Sequence, residues 1–288
     1  MQMKPLRIVF FGSPEISVTV LDAMEREGLK PSLIVTNPDR PQGRGLSLTP
    51  TPVKLWAEAR SIDVLQPKSL QNNDEILLLT SQKWDLFVVV AYGLIMPKSL
   101  IDTPKHGTLN VHPSLLPKLR GASPIRTSIL GNYVDTGVTI MLMDEKMDHG
   151  PILAQEKVSM TVPLRGSELD RALAEQGGTL LCKTIEKWIA GEIIPQEQNH
   201  NEATFCKKIT KEEALLELNP HSLPVGKDAH DVLLKVYAYD KWPGAFFFHA
   251  NKRIKIIEAE IVGDKLQINK VVPEGKKEIA FTDFLKHS

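Results

Sequence analysis

The chain has 288 residues, 42% hydrophobic and 24% charged, the composition of an ordinary globular protein and a length that suggests two cores. Its 35 basic and 35 acidic residues cancel, so no global field advertises a polyanionic partner, and contact with nucleic acid has to come from local patches. Two cysteines, Cys182 and Cys206, give neither a disulfide framework nor metal-ligand spacing, and the chain has no leader-like start and no run of 18 apolar residues; the expectation is a cytoplasmic protein with no metal and no membrane span.

Leu6 to Phe11 is a continuous apolar run stopping at Gly12, which predicts a strand buried on both faces. Ser13 as N-cap and Pro14 in the first turn then predict a helix to about Glu27. Strand, glycine and helix start form the grammar of a doubly wound α/β domain. No second and third glycine follow Gly12 at the dinucleotide spacing, which speaks against a nicotinamide cofactor. A second strand is predicted over Ser32–Thr36. Asn37 to Lys54, with four prolines and two glycines, reads as a long exposed loop without regular structure. Its Arg40, Arg44 and Lys54 are, on the plainest reading, solvated cations. Helices over Lys54–Arg60 and Asn73–Gln82 precede a buried strand, Leu86–Ala91. Tyr92 and Gly93 stand at its carboxyl end, the edge where open parallel sheets hold ligands.

The stretch Asn110–Pro124, NVHPSLLPKLRGASP, carries the densest chemistry. Asn110 and His112 lie two apart in an extended run and so face the same way, with backbones roughly 6 to 7 Å apart. An amide N–H and an imidazolium N–H can then reach one oxygen between them. A β-branched strand, Val138–Met143, empties into a loop with Asp144, Asp148 and His149. By themselves a histidine after a strand is more often structural, an asparagine there is a common turn residue, and the two aspartates compete for any role.

Beyond Gly150 a strand is predicted over Ile152–Val158 and a helix over Ser167–Ala190, with Leu169, Leu173, Leu180 and Ile185 on a buried stripe. Gly191 to Thr204 is polar and reads as a linker. From Phe205 the texture changes: a helix over His230–Val236, then AFFFH, RIKIIEAEIV, KLQINKVV and EIAFTDF as short β-rich runs, the pattern of a small β-barrel. The expected division is an α/β domain over residues 1–190, a linker over 191–206 and a β domain over 207–288. The last carries 14 Lys and Arg against 12 Asp and Glu, far from a strongly basic module.

N-x-H-x-SLLP from Asn110, RGA-x-P from Arg120 and M-D-x-x-x-D-x-G from Met143 together resemble the catalytic signature of the 10-formyltetrahydrofolate-dependent formyltransferases. RIVFFGSPE, NPDRPQGRG with TPTPVK, VVVAYGLIMP, ATFCKKITKEEA and WPGA extend the likeness over nearly the whole chain, and within the superfamily it is most similar to the branch acting on methionyl-tRNA. The resemblance implies a Rossmann-like, doubly wound, mostly parallel sheet followed by a shortened OB-like β-barrel that contacts tRNA. It implies 10-formyltetrahydrofolate as formyl donor, no metal, the α-amine of initiator methionyl-tRNA as acceptor, and a monomer. It selects Asp148 over Asp144, gives Asn110 and His112 the negative oxygen of a tetrahedral intermediate, and has Asp148 keep His112 charged and take up the amine proton. The pterin pocket is implied around Tyr92, Gly93 and Leu94 with Ser114, Leu115, Leu116 and Pro117, and tRNA contacts at Arg40, Arg44 and Lys54. The sequence departs from the pattern at Leu46 and Ser47, where further basic residues are usual, at His149, where a small residue is usual, and at Gly263–Asp264, where extra strand and turn are usual. The same trio would serve a formyltransferase acting on a nucleotide-linked amino sugar, or a hydrolase using water. A noncatalytic RNA-binding protein would use the loop and barrel alone.

Overall fold

The computed structural model describes residues 6–42, 47–71, 74–160 and 162–286. Two compact units divide the chain, the first gathering residues 1–120, 137–158 and 171–205 and the second residues 121–136, 159–170 and 206–288.

The first unit is built outward from β1 (Ile8–Gly12), whose five residues are all buried; a strand without a polar face has to lie inside a covered sheet. α1 (Glu15–Arg26) follows, but its N-cap is Pro14, not Ser13. The Ser13 hydroxyl instead accepts from the Asn37 N–H at 3.0 Å and the Thr36 hydroxyl at 3.1 Å, so the predicted cap ties two strand ends together.

After β2 (Leu33–Val35) the stretch predicted to lack regular structure holds two strands and a helix start. β3 (Arg40–Gln42) pairs antiparallel with β4 (Ser47–Thr49), Pro41 opposite Leu48. α2 (Pro52–Glu58) begins at a proline and is capped by the Thr51 hydroxyl, which accepts from the Lys54 N–H at 3.1 Å. A two-stranded ribbon consists only of edges, where a missing N–H is tolerated, and proline at the first helical position starts a helix. The prolines read as breakers are edge and start residues.

The chain continues through β5 (Val64–Leu65), α3 (Asp74–Thr80), β6 (Leu86–Val90), α4 (Lys98–Ile101), β7 (Thr108–His112), β8 (Arg120–Gly121), α5 (Pro124–Leu130), β9 (Asp135–Leu142), β10 (Ile152–Ser159) and α6 (Gly166–Ile189). The main sheet has the order β10-β9-β7-β6-β1-β2-β5, with β7, β6, β1, β2 and β5 mutually parallel and β9 antiparallel to β7. Strand order reverses between β1 and β6, which makes the carboxyl ends of β1, β6 and β7 the ligand edge. On α6 the buried row is Leu169, Leu173, Leu181 and Ile185, with Leu180 only partly covered. The row steps by four through Gly177, a position without a side chain, so that Leu181 and not Leu180 continues it.

After β11 (Phe205–Cys206), whose two residues fall one in each unit, the second unit continues with α7 (Gly226–Ala238), longer than predicted at both ends, and then β12 (Phe246–His249), β13 (Lys252–Val262), β14 (Lys265–Pro273) and β15 (Ile279–Ala280). These four strands form an antiparallel sheet in linear order, around a core of α7 and sheet residues such as Leu233, Val236, Phe247, Ile256 and Ile268. Gly263 and Asp264 join β13 to β14 as a two-residue turn with φ +67° at Gly263, so the usual extra strand is replaced by the shortest hairpin connection. EIAFTDF is strand only at Ile279–Ala280. From Phe281 it is helix α8 (Phe281–Lys286), because Phe281 and Phe284, three apart, both turn into the core.

Candidate active site

β7 carries Asn110 and His112 on one face and Val111 on the other. Val111 meets α6 at Gly177, where an added Cβ would lie 2.9 Å from Val111 Cγ1, and at the next residue a Cβ would lie 2.6 Å from that of Ala23. Gly177 lets the helix backbone approach the strand directly behind the candidate chemistry, and Gly178 lets it approach α1.

Asp148 arrives by a route that strand patterns do not disclose. Because β9 runs antiparallel to β7, Thr139 stands opposite His112 and Leu142 opposite Leu109, so β9 ends roughly 10 Å from His112 and the loop has to double back. It does so tightly: the Leu142 N–H donates to Pro151 O at 2.9 Å, and at Gly150 any Cβ would overlap the Leu142 carbonyl. Asp148 itself takes φ +48°, a conformation that costs a non-glycine residue about 1 kcal/mol or more.

The outcome is a convergence on one atom. Asn110 Nδ2 donates to Asp148 Oδ1 at 3.4 Å, and His112 Nδ1 stands 3.6 Å from the same oxygen. His112 Nε2 lies 3.0 Å from the Leu119 carbonyl, which only accepts; Nε2 therefore carries hydrogen, and Nδ1 is the nitrogen turned to the acid. Side-chain exposures of 5% for His112 and 15% for Asp148 leave this pair little screened by water. Asp144 is engaged elsewhere: Oδ2 is 2.6 Å from His149 Nδ1, and Oδ1 accepts from the Lys146 N–H at 2.9 Å.

Three residues outside the predicted set belong to this neighbourhood. Gln198 and His200 come from the stretch read as a linker, and Arg120 from the RGA motif; Gln198 Oε1 accepts from Arg120 Nη2 at 2.6 Å, and the His200 ring stacks on His149 with centroids 4.0 Å apart. Burial, with the charges of His149 and Arg120, lowers the His200 pKa. A lone glutamine in a polar stretch has no sequence signal. Among the described residues no group of three or more His, Cys, Asp or Glu could hold a metal ion, and no helix is long and apolar enough to cross a membrane.

The pattern of the formyl transferases matches residues 6–185, and that of the formyl transferase C-terminal domain matches residues 208–267. The chain belongs to the formyl transferase family. It is 37% identical to the methionyl-tRNA formyltransferase of Halalkalibacterium halodurans over 98% of this chain and 94% of that protein, and 38% identical to that of Chloroflexus aurantiacus over 89% and 80%. Among solved structures it is similar to a methionyl-tRNA formyltransferase from Clostridium thermocellum, with TM-score 0.62, 14% identity and coverage of 96% and 99%. It is also similar to an N-formyltransferase from Helicobacter canadensis in complex with folinic acid and dTDP-3-aminofucose, with TM-score 0.65, 18% identity and coverage of 96% and 98%. At such identities the likeness is one of fold.

In this formyl transferase the candidate donor-side residues divide in two. The Tyr92 ring is 2% exposed and packs edge-on against Phe11 at 5.6 Å, and its carbonyl accepts from Asn37 Nδ2 at 3.0 Å. Ser114 donates through Oγ to Lys118 O at 2.6 Å and its carbonyl accepts from Thr139 Oγ1 at 2.6 Å; Leu116 is 3% exposed, its N–H donating to Thr139 Oγ1 at 3.2 Å. These three side chains are packed into the interior. Gly93, Leu94, Leu115 and Pro117 keep exposed surface, and an added Cβ at Gly93 would meet nothing within 4 Å. On the candidate tRNA side Arg40 is exposed on β3, whereas Lys54 Nζ pairs with Asp39 Oδ2 at 2.7 Å. Arg44, like Leu46, lies outside the described residues.

Proposed function

We propose that this chain transfers the formyl group of 10-formyltetrahydrofolate to the α-amine of methionine carried on initiator tRNA, acting as a cytoplasmic monomer. The observation that carries the reading is the convergence of the Asn110 amide and the His112 imidazole on the single oxygen Asp148 Oδ1. Identity of 37% to a methionyl-tRNA formyltransferase over nearly the whole of both chains supports the choice of acceptor.

The acceptor amine is the nucleophile, since α-amines with pKa of about 7.7 to 8.0 are partly neutral near pH 7, so no Ser or Cys is required. Burial pushes the Cys182 thiol up to about 11, which keeps it out of such chemistry. As nitrogen adds to the formyl carbon, Asn110 Nδ2 and a protonated His112 Nδ1 donate to the oxygen that gains charge. The Asp148 carboxylate, 3.6 Å from His112 Nδ1, takes up, directly or through water, the proton the amine loses. Return of that proton to N10 lets the carbon–N10 bond break and tetrahydrofolate leave neutral. Gly93, Leu94, Leu115 and Pro117 line the donor site; Tyr92, Ser114 and Leu116 fix its shape. The chemistry is assigned to residues 1–190 together with Gln198 and His200 of the connecting stretch 191–206, and tRNA contact to residues 207–288 with Arg40 and Arg44 as phosphate contacts, while Lys54 pairs with Asp39 beside Arg40.

The test is to offer 10-formyltetrahydrofolate with methionyl-initiator tRNA, methionyl-elongator tRNA and an amino-sugar nucleotide in parallel, reading by mass spectrometry which amine gains a formyl group. Formylated initiator tRNA is expected. Formyl on the sugar alone, or release of formate with no amine modified, would sink the reading.

A further inference from the structure

Gln198 is 5% exposed and lies against the loop of the candidate acid. Its Nε2 donates to the carbonyls of Asp148 at 3.0 Å and Gly150 at 2.7 Å, while Oε1 accepts from Arg120 Nε at 3.1 Å and Nη2 at 2.6 Å. The amide can face only one way, because arginine has donors alone and carbonyls only accept; a flipped amide would satisfy neither side. Both amide hydrogens thus rest on the two carbonyls that frame His149, and these set the direction in which Asp148 projects.

Arg120 is anchored in turn. It is 3% exposed, its backbone N–H donates to Thr204 O at 2.9 Å, and Nη2 lies 2.9 Å from His200 Nδ1. Since arginine cannot accept, His200 Nδ1 is the acceptor, a protonation state that the lowered pKa favours. His200 then stacks on His149, whose Nδ1 meets Asp144. One buried guanidinium is therefore tied to both ends of the loop, through Gln198 at residues 148 and 150 and through the two rings at residue 144.

We propose that Gln198 is a positioning residue for Asp148: backed by Arg120, it holds the backbone of residues 148–150 so that the carboxylate stays beside Asn110 and His112. A non-glycine residue at φ +48° persists only where its surroundings over-determine it, and a displacement of about 1 Å at a reacting group can cost about 10²-fold in rate. The inference rests on the proposed function in giving Asp148 a chemical task.

The test uses full-length Gln198→Glu and Gln198→Met with 10-formyltetrahydrofolate and methionyl-initiator tRNA. Glutamate keeps the acceptor for Arg120 but has no hydrogen for the two carbonyls; methionine keeps the length and offers neither, and supplies the measurement if the charged variant fails to fold. We expect kcat to fall on the order of 10- to 100-fold with little change in either KM, and the amides of residues 144–150 to exchange hydrogen faster. A role confined to satisfying Arg120 would leave Gln198→Glu at the wild-type kcat. That result, or a lowered kcat with unaltered loop exchange, or faster exchange with unaltered kcat, overturns the proposal. Asp148→Asn measured alongside separates the two claims: if it turns over normally, the task assigned to Asp148 fails; if it is slow while the Gln198 variants are not, only the positioning role fails.

Discussion

The loop carrying Asp148 and the arm carrying Arg40 belong to the same unit and are held by opposite means. Around Asp148 the backbone doubles back under a buried glutamine and a buried arginine, and the side chain is 15% exposed. The arm rests on three residue pairs between β3 and β4 and on a partly exposed group in which Asp39 accepts from Lys54 and Gln66, both at 2.7 Å. Chemistry at a carbonyl requires tenths of an ångström, and only side chains from distant parts of the chain can over-determine a backbone that well. Attraction to a polyanion acts over a Debye length of about 8 Å and tolerates a loosely anchored arm.

The sharpest way to break this comparison is at the convergence point. Asn110→Ala is expected to lower the single-turnover rate by about 10²- to 10³-fold, and Asp148→Asn by about 10²- to 10⁴-fold, with the fold and donor affinity unchanged. Circular dichroism and equilibrium folate binding check the last two. Wild-type formylation by Asn110→Ala would show that the amide does not stabilise the charge developing on the formyl oxygen, and by Asp148→Asn that the carboxylate does not take up the amine proton.

Behind the same strand, Gly177→Ala forces a Cβ to within 2.9 Å of Val111, between Asn110 and His112 in sequence. Overpacking of this kind costs about 1 to 3 kcal/mol, read as a lowered urea midpoint. If the site is as tightly determined as the Gln198 contacts imply, kcat falls as well; a destabilised variant with normal kcat would mean the strand shifts without carrying its side chains along.

On the arm the expected effects are smaller and of another kind. Arg40→Ala should raise KM for the tRNA several-fold, leave kcat unaltered, and reduce the slope of log affinity against log salt by about 1. A change in kcat instead would place the arm within the chemistry.

The strands β1 and β6 were legible because a strand covered on both faces is apolar throughout, as Ile8–Gly12 and Leu86–Val90 are, whereas the two-residue β5 is too short to write a pattern. Asn110 and His112 were legible as a same-face pair because the period of two is local. The approach of Asp148 was not, since whether β9 runs with or against β7 depends on pairing and not on the residues of either strand. Gln198 left no trace because its partners lie 50 and 78 residues away. Short polar elements such as β3 and β4 were missed for a related reason: their order comes from each other and from Thr51 and Asp39, with little burial to write a pattern. His149, a departure from the resembled pattern, finds a partner in His200, another residue whose placement no local motif could announce.

The smallest effect concerns the root of the arm, and its sign follows from linkage. The Lys54 ammonium and the Gln66 amide hold the Asp39 carboxyl below its ordinary value of 3.8, so the folded state binds that proton less readily than the unfolded chain. The contribution is fully present above the ordinary value and is lost as the pH falls through the depressed one. Lys54→Met should therefore be less stable than wild type at pH 7, and the gap should close in acid as Asp39 protonates in both proteins. Chemical denaturation at pH 7 and at successive steps below pH 4 reads this directly. A gap that persists undiminished in acid would mean that Lys54 supports the arm through the packing of its methylenes and not through its charge, and the Asp39 group would then be no electrostatic anchor at all.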